Sequence, residues 1–157
     1  MIKINSIQAI YDMKKMLIAV ALISMVGCVY IQPESKIDDT ASLYERLGGM
    51  AAIEKVSAEF TRQIGKDERI NGFFIGADLG RVERLLAEQI CAASGGPCKY
   101  TGRSMIDVHT GMNITEGQFT AIVEDLIKSL NTYKVPKREQ QELLRLLGSM
   151  KKDIINR

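Results

Sequence analysis

The sequence predicts an all-α fold, and three features indicate it. Apolar residues recur at helical spacing from residue 42 onward, no segment alternates like a strand, and capping motifs and glycine pairs mark the segment ends. With 46% hydrophobic and 25% charged residues, the composition is that of a globular protein. A chain of 157 residues is therefore expected to form one domain, apart from its N-terminal part.

The N-terminal part has the layout of an exported protein. Lys14 and Lys15 precede an apolar run at 16–26, which is short for a bilayer span, and Gly27-Cys28 follows. The sequence Val26-Gly27-Cys28 resembles the end of a bacterial lipobox, although Met25 stands where leucine is usual. The pattern predicts lipidation at Cys28 and localisation outside the cytoplasm on a membrane.

These features divide the chain into three parts. Residues 1–27 are predicted to be a signal peptide, with Met13 as an alternative start, and residues 28–41 a polar tether. An uncleaved anchor that extends through Ile31 is the alternative, and it also tethers the protein to a membrane. Residues 42–157 are the predicted helical domain.

The helices follow in order along this domain. Ser42 and Glu45 form a capping box before a short helix that stops at Gly48-Gly49, and Thr115 with Gln118 forms a second box. Pro136 is predicted at the first position of the last helix, which is expected to reach residue 154. The apolar stripes are Ile53, Val56, Phe60 and Ile64 in 50–64; Val82, Leu85, Leu86, Gln89, Ile90 and Ala93 in 81–93; Phe119, Ile122, Val123, Leu126, Ile127 and Leu130 in the next helix; and Leu143, Leu144, Leu147, Met150 and Ile154 in the last.

The charge balance excludes one class of partner. Residues 1–27 hold Lys3, Lys14 and Lys15 against Asp12, which leaves 18 basic and 18 acidic residues in 28–157. A neutral body gives no electrostatic reason to bind nucleic acid.

His109 is the only histidine, and it follows a Gly-Gly-Pro turn flanked by Cys91 and Cys98. A zinc site with several histidines is excluded, and no G-x-S-x-G turn or cysteine nucleophile motif accompanies the histidine. A lone histidine on a helix face is more often structural. Its main alternative is to ligate a metal that a cofactor already holds, as in haem proteins.

Residues 42–157 resemble a group I truncated haemoglobin. The resemblance rests on SLYERLGG at 42–49, Phe73-Phe74, Gly95-Gly96-Pro97, YTGR at 100–103, Met105, His109, and Ile114-Thr115 ahead of Phe119. It implies a two-over-two helical sandwich around haem b, with His109 as the iron ligand. It also implies that Phe74, Tyr100, Met105 and Phe119 contact the haem.

The resemblance places the ligand side of the haem at Thr61, Val82 and Leu86, where members of the family commonly have tyrosine or glutamine. Gln89 lies one turn further along. We therefore expect a less polar pocket, with faster oxygen loss and easier autoxidation; simple helix packing is the alternative for Thr61 and Gln89.

Two smaller sites complete the expectations. Cys91 and Cys98 are candidates for a disulfide in an oxidising compartment, against two free thiols, and Lys99 and Arg103 are candidates for the haem propionates, against a solvated loop. The resemblance implies binding of O2, NO and CO, with nitric oxide detoxification as a possible activity that needs an electron-donating reductase. A membrane-tethered haem sensor and a globin that has lost its haem are the alternatives.

Overall fold

The computed structural model describes residues 40–157, which form six α-helices. They are α1 (Leu43–Arg46), α2 (Gly49–Ile64), α3 (Leu79–Ala93), α4 (Met105–His109), α5 (Glu116–Thr132) and α6 (Lys137–Gly148), with 3₁₀ turns at Asn71–Phe74 and Lys151–Asp153. Within these residues the only extended pairing is an isolated bridge between Ile114 and Ile155, so the all-α prediction is confirmed. The predicted signal peptide, Cys28 and most of the tether lie outside the described residues.

The helix ends follow the predicted chemistry. The Ser42 hydroxyl accepts a hydrogen bond from the Glu45 amide at 3.2 Å, and the Glu45 carboxylate accepts one from the Ser42 amide at 2.8 Å. Thr115 and Gln118 form the second capping box in the same way. Gly48 has a φ of 95°, which explains why the chain turns here at a residue without a side chain.

Two helices differ from the sequence prediction. α3 begins at Leu79 rather than Arg81, because the Asp78 carboxylate caps it by accepting from the Arg81 amide at 3.0 Å. α6 begins after Pro136, which occupies the capping position, and ends at Gly148 rather than at residue 154. Beyond that point the backbone continues as a 3₁₀ turn that starts at Lys151.

α2 is the central helix and packs against both α3 and α5, while α6 packs against α1, α3 and α5. The predicted apolar stripe of α2 is buried along its whole length; it consists of Ile53, Val56, Phe60 and Ile64. Burial of such a stripe removes apolar surface from water and is the main force that holds the helices together.

The buried face of α5 includes small and polar residues that its apolar stripe did not indicate. Ala121, Asp125 and Ser129 lie four residues apart and are at most 1% exposed. The Asp125 carboxylate accepts a hydrogen bond from the Lys128 ammonium at 2.7 Å. Of the predicted stripe, Leu126 and Leu130 are buried in the core, and Leu126 also lines a cavity with Phe119, Ile122 and Val123.

Within residues 40–157, no helix combines the length and the apolar character that a membrane crossing requires. The apolar run at 16–26 lies outside this range.

Candidate functional site

An apolar cavity of about 120 Å³ opens between the helices, and every helix except α1 contributes to its wall. The lining side chains are mostly aliphatic, aromatic or thioether groups. They are Phe60, Leu86, Gln89, Met105, Phe119, Ile122, Val123, Leu126, Leu144, Leu147, Met150 and Ile154, together with Gly148. Such a wall suits a flat hydrophobic ligand, whose burial removes apolar surface from water.

His109 ends α4, one helical turn beyond Met105 of the cavity wall. Its Nδ1 atom lies 2.7 Å from the Met105 carbonyl oxygen, and a carbonyl can only accept a hydrogen bond. Nδ1 must therefore carry a proton, and in the neutral imidazole the lone pair of Nε2 is then free on the other side of the ring. This tautomer is the one that binds a metal through Nε2. The ring is half-buried and is not itself among the side chains that line the cavity.

Gln89 is the one polar side chain among those that line the cavity. Its Nε2 atom donates to two sulfur atoms, Met105 Sδ and Met150 Sδ, each at 3.3 Å. Thioether sulfur is a weak hydrogen-bond acceptor, so this amide is held loosely. Gln89 thus keeps donor capacity for a better acceptor inside the cavity.

The other residues predicted on the ligand side divide into two groups. Leu86 lines the cavity, whereas Thr61 and Val82 are not among its lining residues. The Thr61 hydroxyl donates to the Ala58 carbonyl at 2.8 Å and lies 3.4 Å from a Glu83 carboxylate oxygen, so it is engaged with its own helix and with α3. Among the four residues predicted on the ligand side, only Gln89 therefore brings a polar group to the cavity wall.

Of the four residues that the resemblance assigns to haem contact, Met105 and Phe119 lie in the cavity wall, whereas Phe74 and Tyr100 do not. Phe74 is half-buried against the hydrophobic core. The Tyr100 hydroxyl donates to the Arg103 carbonyl at 3.0 Å, and burial, followed by the nearby charge of Glu88, raises the pKa of this phenol.

Lys99 and Arg103, the candidates for the propionates, are exposed and do not line the cavity. A cation that does lie near the wall is Lys151, whose ammonium is 5.5 Å from the centre of the Phe119 ring. Sequence reasoning missed Lys151, because nothing near it in sequence marks it as different from its neighbour Lys152.

A disulfide joins Cys91 to Cys98, with 5.8 Å between the two Cα atoms. Cys91 lies in the last turn of α3 and is fully buried, while Cys98 lies in the loop that leads to α4. The bond therefore ties the end of one cavity helix to the segment that carries His109.

Residues 40–157 contain no group of three or more histidine, cysteine, aspartate or glutamate side chains that could hold a metal ion. A haem iron needs only one ligand from the protein, since the porphyrin supplies four. The apolar wall and the free Nε2 fit a haem in this respect. The cavity is smaller than the roughly 300 Å³ of small ligand pockets, so a porphyrin would fit only if side chains of the wall moved; the flexible thioethers of Met105 and Met150 are the most adaptable of these.

Comparison with known proteins gives a consistent result. Residues 42–156 match the sequence model of the family described as bacterial-like globin. The group 1 truncated haemoglobin of Mycolicibacterium paratuberculosis is 34% identical over 116 residues, which are 74% of this chain and 85% of that protein.

Solved structures agree in fold. The truncated haemoglobin of Tetrahymena pyriformis in its Fe(III) form superposes with a TM-score of 0.72 at 28% identity and covers 74% of this chain and 100% of its own. The 2/2 haemoglobin of a Synechococcus species, in the cyanomet state and with covalently attached haem, gives a TM-score of 0.69 at 32% identity with the same coverage. These similarities confirm the predicted two-over-two helical sandwich.

Proposed function

Since the chain belongs to the bacterial-like globin family and, within it, to the group 1 truncated haemoglobins, we propose that it binds haem b through His109 and carries small diatomic gases on the iron. Haem is the cofactor of this family, and the binding of small gases is its general activity. The observation that carries the proposal for this chain is the hydrogen bond from His109 Nδ1 to the Met105 carbonyl, which leaves Nε2 unprotonated.

When bound, haem would supply an iron atom that binds a gas, with most of the iron's ligands coming from the porphyrin. His109 would hold the iron, and the carbonyl of Met105 would fix the orientation of the histidine ring. Phe119, Ile122 and Leu126 of α5 exclude water from one side of the cavity. Because His109 is the only histidine of the chain, coordination by two histidines is excluded.

The gas that we propose first is oxygen. Gln89 is the one side chain of the described cavity wall that can donate a hydrogen bond to a polar ligand, so oxygen is stabilised by at most one such contact. NO and CO are further ligands. Nitric oxide detoxification converts NO and O2 to nitrate and needs one electron per turnover, so it requires an electron-donating reductase as a partner.

An absorbance spectrum of the purified protein tests the proposal. After reconstitution with haemin, the protein is expected to show a Soret band that shifts when carbon monoxide is added to the reduced form. His109→Gly should lose this spectrum and regain it with added imidazole. A folded protein that takes up no haem would remove the proposal.

The sensor alternative is not proposed. The relatives match this chain along most or all of their own length, and the described residues form one compact unit without a second, signalling module.

We further propose that the protein is exported and lipid-anchored at Cys28. Two observations support this location: the order of charges, apolar run and cysteine at the N-terminus, and the Cys91–Cys98 disulfide, which suits an oxidising compartment. Cells grown with a labelled fatty acid should incorporate it into the protein, and Cys28→Ala should abolish the label. Label that survives in Cys28→Ala, or wild-type protein in the soluble cytoplasmic fraction, contradicts the anchor.

A further inference from the structure

The helix that carries His109 is short and poorly packed. α4 has five residues, and Ile106, Asp107 and Val108 are exposed, so only Met105 and His109 turn toward the protein. α4 contacts the turn Lys151–Asp153, but a helix of this length is not stable by itself. Its position therefore depends on how the preceding loop, residues 94–104, is held.

The first anchor of this loop is the Cys91–Cys98 disulfide. Its surroundings are tight, since a Cβ atom at Gly96 would lie 2.5 Å from the Tyr44 ring and 2.6 Å from the Cys91 sulfur. The Gly96 amide also donates to the Cys91 carbonyl at 2.8 Å. The loop is thus pressed against the end of α3 at this point, and Cys98 lies seven residues before Met105, the first residue of α4.

The second anchor is a carboxylate. Glu88 of α3 accepts hydrogen bonds from the Thr101 amide at 2.9 Å and from the Thr101 hydroxyl at 2.6 Å. These bonds lower the pKa of Glu88, so it stays ionised and bound at neutral pH. This anchor does not depend on the redox state of the protein, whereas the disulfide does.

We propose that the Cys91–Cys98 disulfide is a redox-sensitive positioning element for His109, so that its reduction weakens the hold of the protein on haem. The inference rests on the proposed function of His109. In the reaction, a dithiol transfers two electrons and two protons to the disulfide, which becomes two thiols, and the dithiol itself becomes a disulfide. The loop is then fixed to α3 mainly at Thr101, and the segment from Cys98 to His109 gains freedom.

The test uses the full chain loaded with haem. Haem transfer to an excess of apomyoglobin is compared for the oxidised protein, the protein reduced with dithiothreitol, and Cys98→Ser. We expect reduction to speed haem loss roughly three- to tenfold, the equivalent of about 0.7–1.4 kcal/mol. Cys98→Ser should behave like the reduced protein whether or not dithiothreitol is present, which controls for direct effects of the reductant on haem.

A spectroscopic readout separates positioning from general stability. The iron–histidine stretching band in the resonance Raman spectrum of the ferrous protein should shift on reduction of the disulfide. Ile70→Val, a core change that is 1% exposed and away from the cavity wall, is a matched control. It removes one buried methyl group and so lowers stability, but it should leave the band unchanged.

A third measurement needs no haem. Hydrogen exchange at the amides of 98–109 should accelerate in the reduced protein while exchange in α2 stays slow. Equal exchange in both redox states, or an equal rate of haem loss with an unshifted Raman band, overturns the inference. If the oxidised protein shows no Soret band, the proposed function fails, and the exchange experiment still decides whether the disulfide holds the loop.

Discussion

Replacing Gln89 by leucine tests which side chain stabilises a bound gas. In the described structure the Gln89 amide is the one polar group of the cavity wall, and its Nε2 donates only to the sulfur atoms of Met105 and Met150. A bound oxygen molecule accepts hydrogen bonds better than a thioether. We therefore expect Gln89 to change partner when oxygen binds, and Gln89→Leu to remove that bond without disturbing the apolar wall.

The size of the effect follows from the value of one hydrogen bond. A neutral hydrogen bond contributes about 0.5–1.5 kcal/mol net, and each 1.4 kcal/mol changes a rate about tenfold. Oxygen dissociation from Gln89→Leu should thus be about two- to twelvefold faster than from the wild type. Carbon monoxide, a poorer hydrogen-bond acceptor, should be affected less.

The matched control is Thr61→Val, which conserves shape and removes the hydroxyl. That hydroxyl already donates to the Ala58 carbonyl, so oxygen dissociation should stay within about twofold of the wild-type rate. Stopped-flow displacement of oxygen by carbon monoxide measures both variants on the haem-loaded fraction. If Thr61→Val accelerates oxygen loss and Gln89→Leu does not, the assignment of Gln89 is refuted.

Three further predictions concern the haem ligand and stability. His109→Gly should lose the axial ligand, and imidazole should restore the spectrum. Gly96→Ala should destabilise the protein by about 1–3 kcal/mol in urea unfolding, because its Cβ would lie 2.5 Å from an aromatic ring, whereas Gly117→Ala, whose Cβ meets nothing closer than 4.0 Å, should stabilise by about 0.5–1 kcal/mol. The Arg69 guanidinium lowers the pKa of Asp67 from 3.8 to about 2, so the stability that it provides is lost as pH falls through that interval; in Arg69→Met, an NMR titration should find the Asp67 pKa back near 3.8.

The helices could be predicted because their signals are local. The stripe from Ile53 to Ile64 has the period of a helix face, and both capping boxes have the required residues three positions apart. The early end of α6 had no such signal. Glycine at 148 is followed by further apolar residues at helical spacing, and only the backbone shows the change to a 3₁₀ turn.

The buried faces of α3 and α5 were harder to predict. In α3 the fully buried residues are Ala87, Ile90 and Cys91, while Leu86 and Gln89 of the predicted stripe lie at the cavity. A helix that lies between a core and a cavity has one face toward each. The apolar pattern in the sequence does not show which residues belong to which face.

The site could be predicted only in part for the same reason. A residue that packs in a core and one that faces a haem obey the same apolar pattern, so the roles of Met105 and Phe119 came from the resemblance alone. The direction of the Thr61 side chain could not be read from sequence either. A threonine in a helix can turn its hydroxyl to the backbone carbonyl of the preceding turn, and here it does so.

The polarity of the cavity has therefore moved along α3 rather than disappeared. The resemblance places the ligand side at Thr61, Val82 and Leu86, where members of the family commonly have tyrosine or glutamine. In this chain the amide that lines the described cavity belongs to Gln89, three residues past Leu86. The Gln89 amide can donate a hydrogen bond to a bound ligand only after it gives up its contacts with the sulfur atoms of Met105 and Met150. Because Met105 precedes His109 by one turn of α4, any change that moves α4 also changes the acceptors open to Gln89. A movement of the loop that contains Cys98 would therefore affect both His109, the proposed iron ligand, and Gln89, the polar side chain of the described cavity wall.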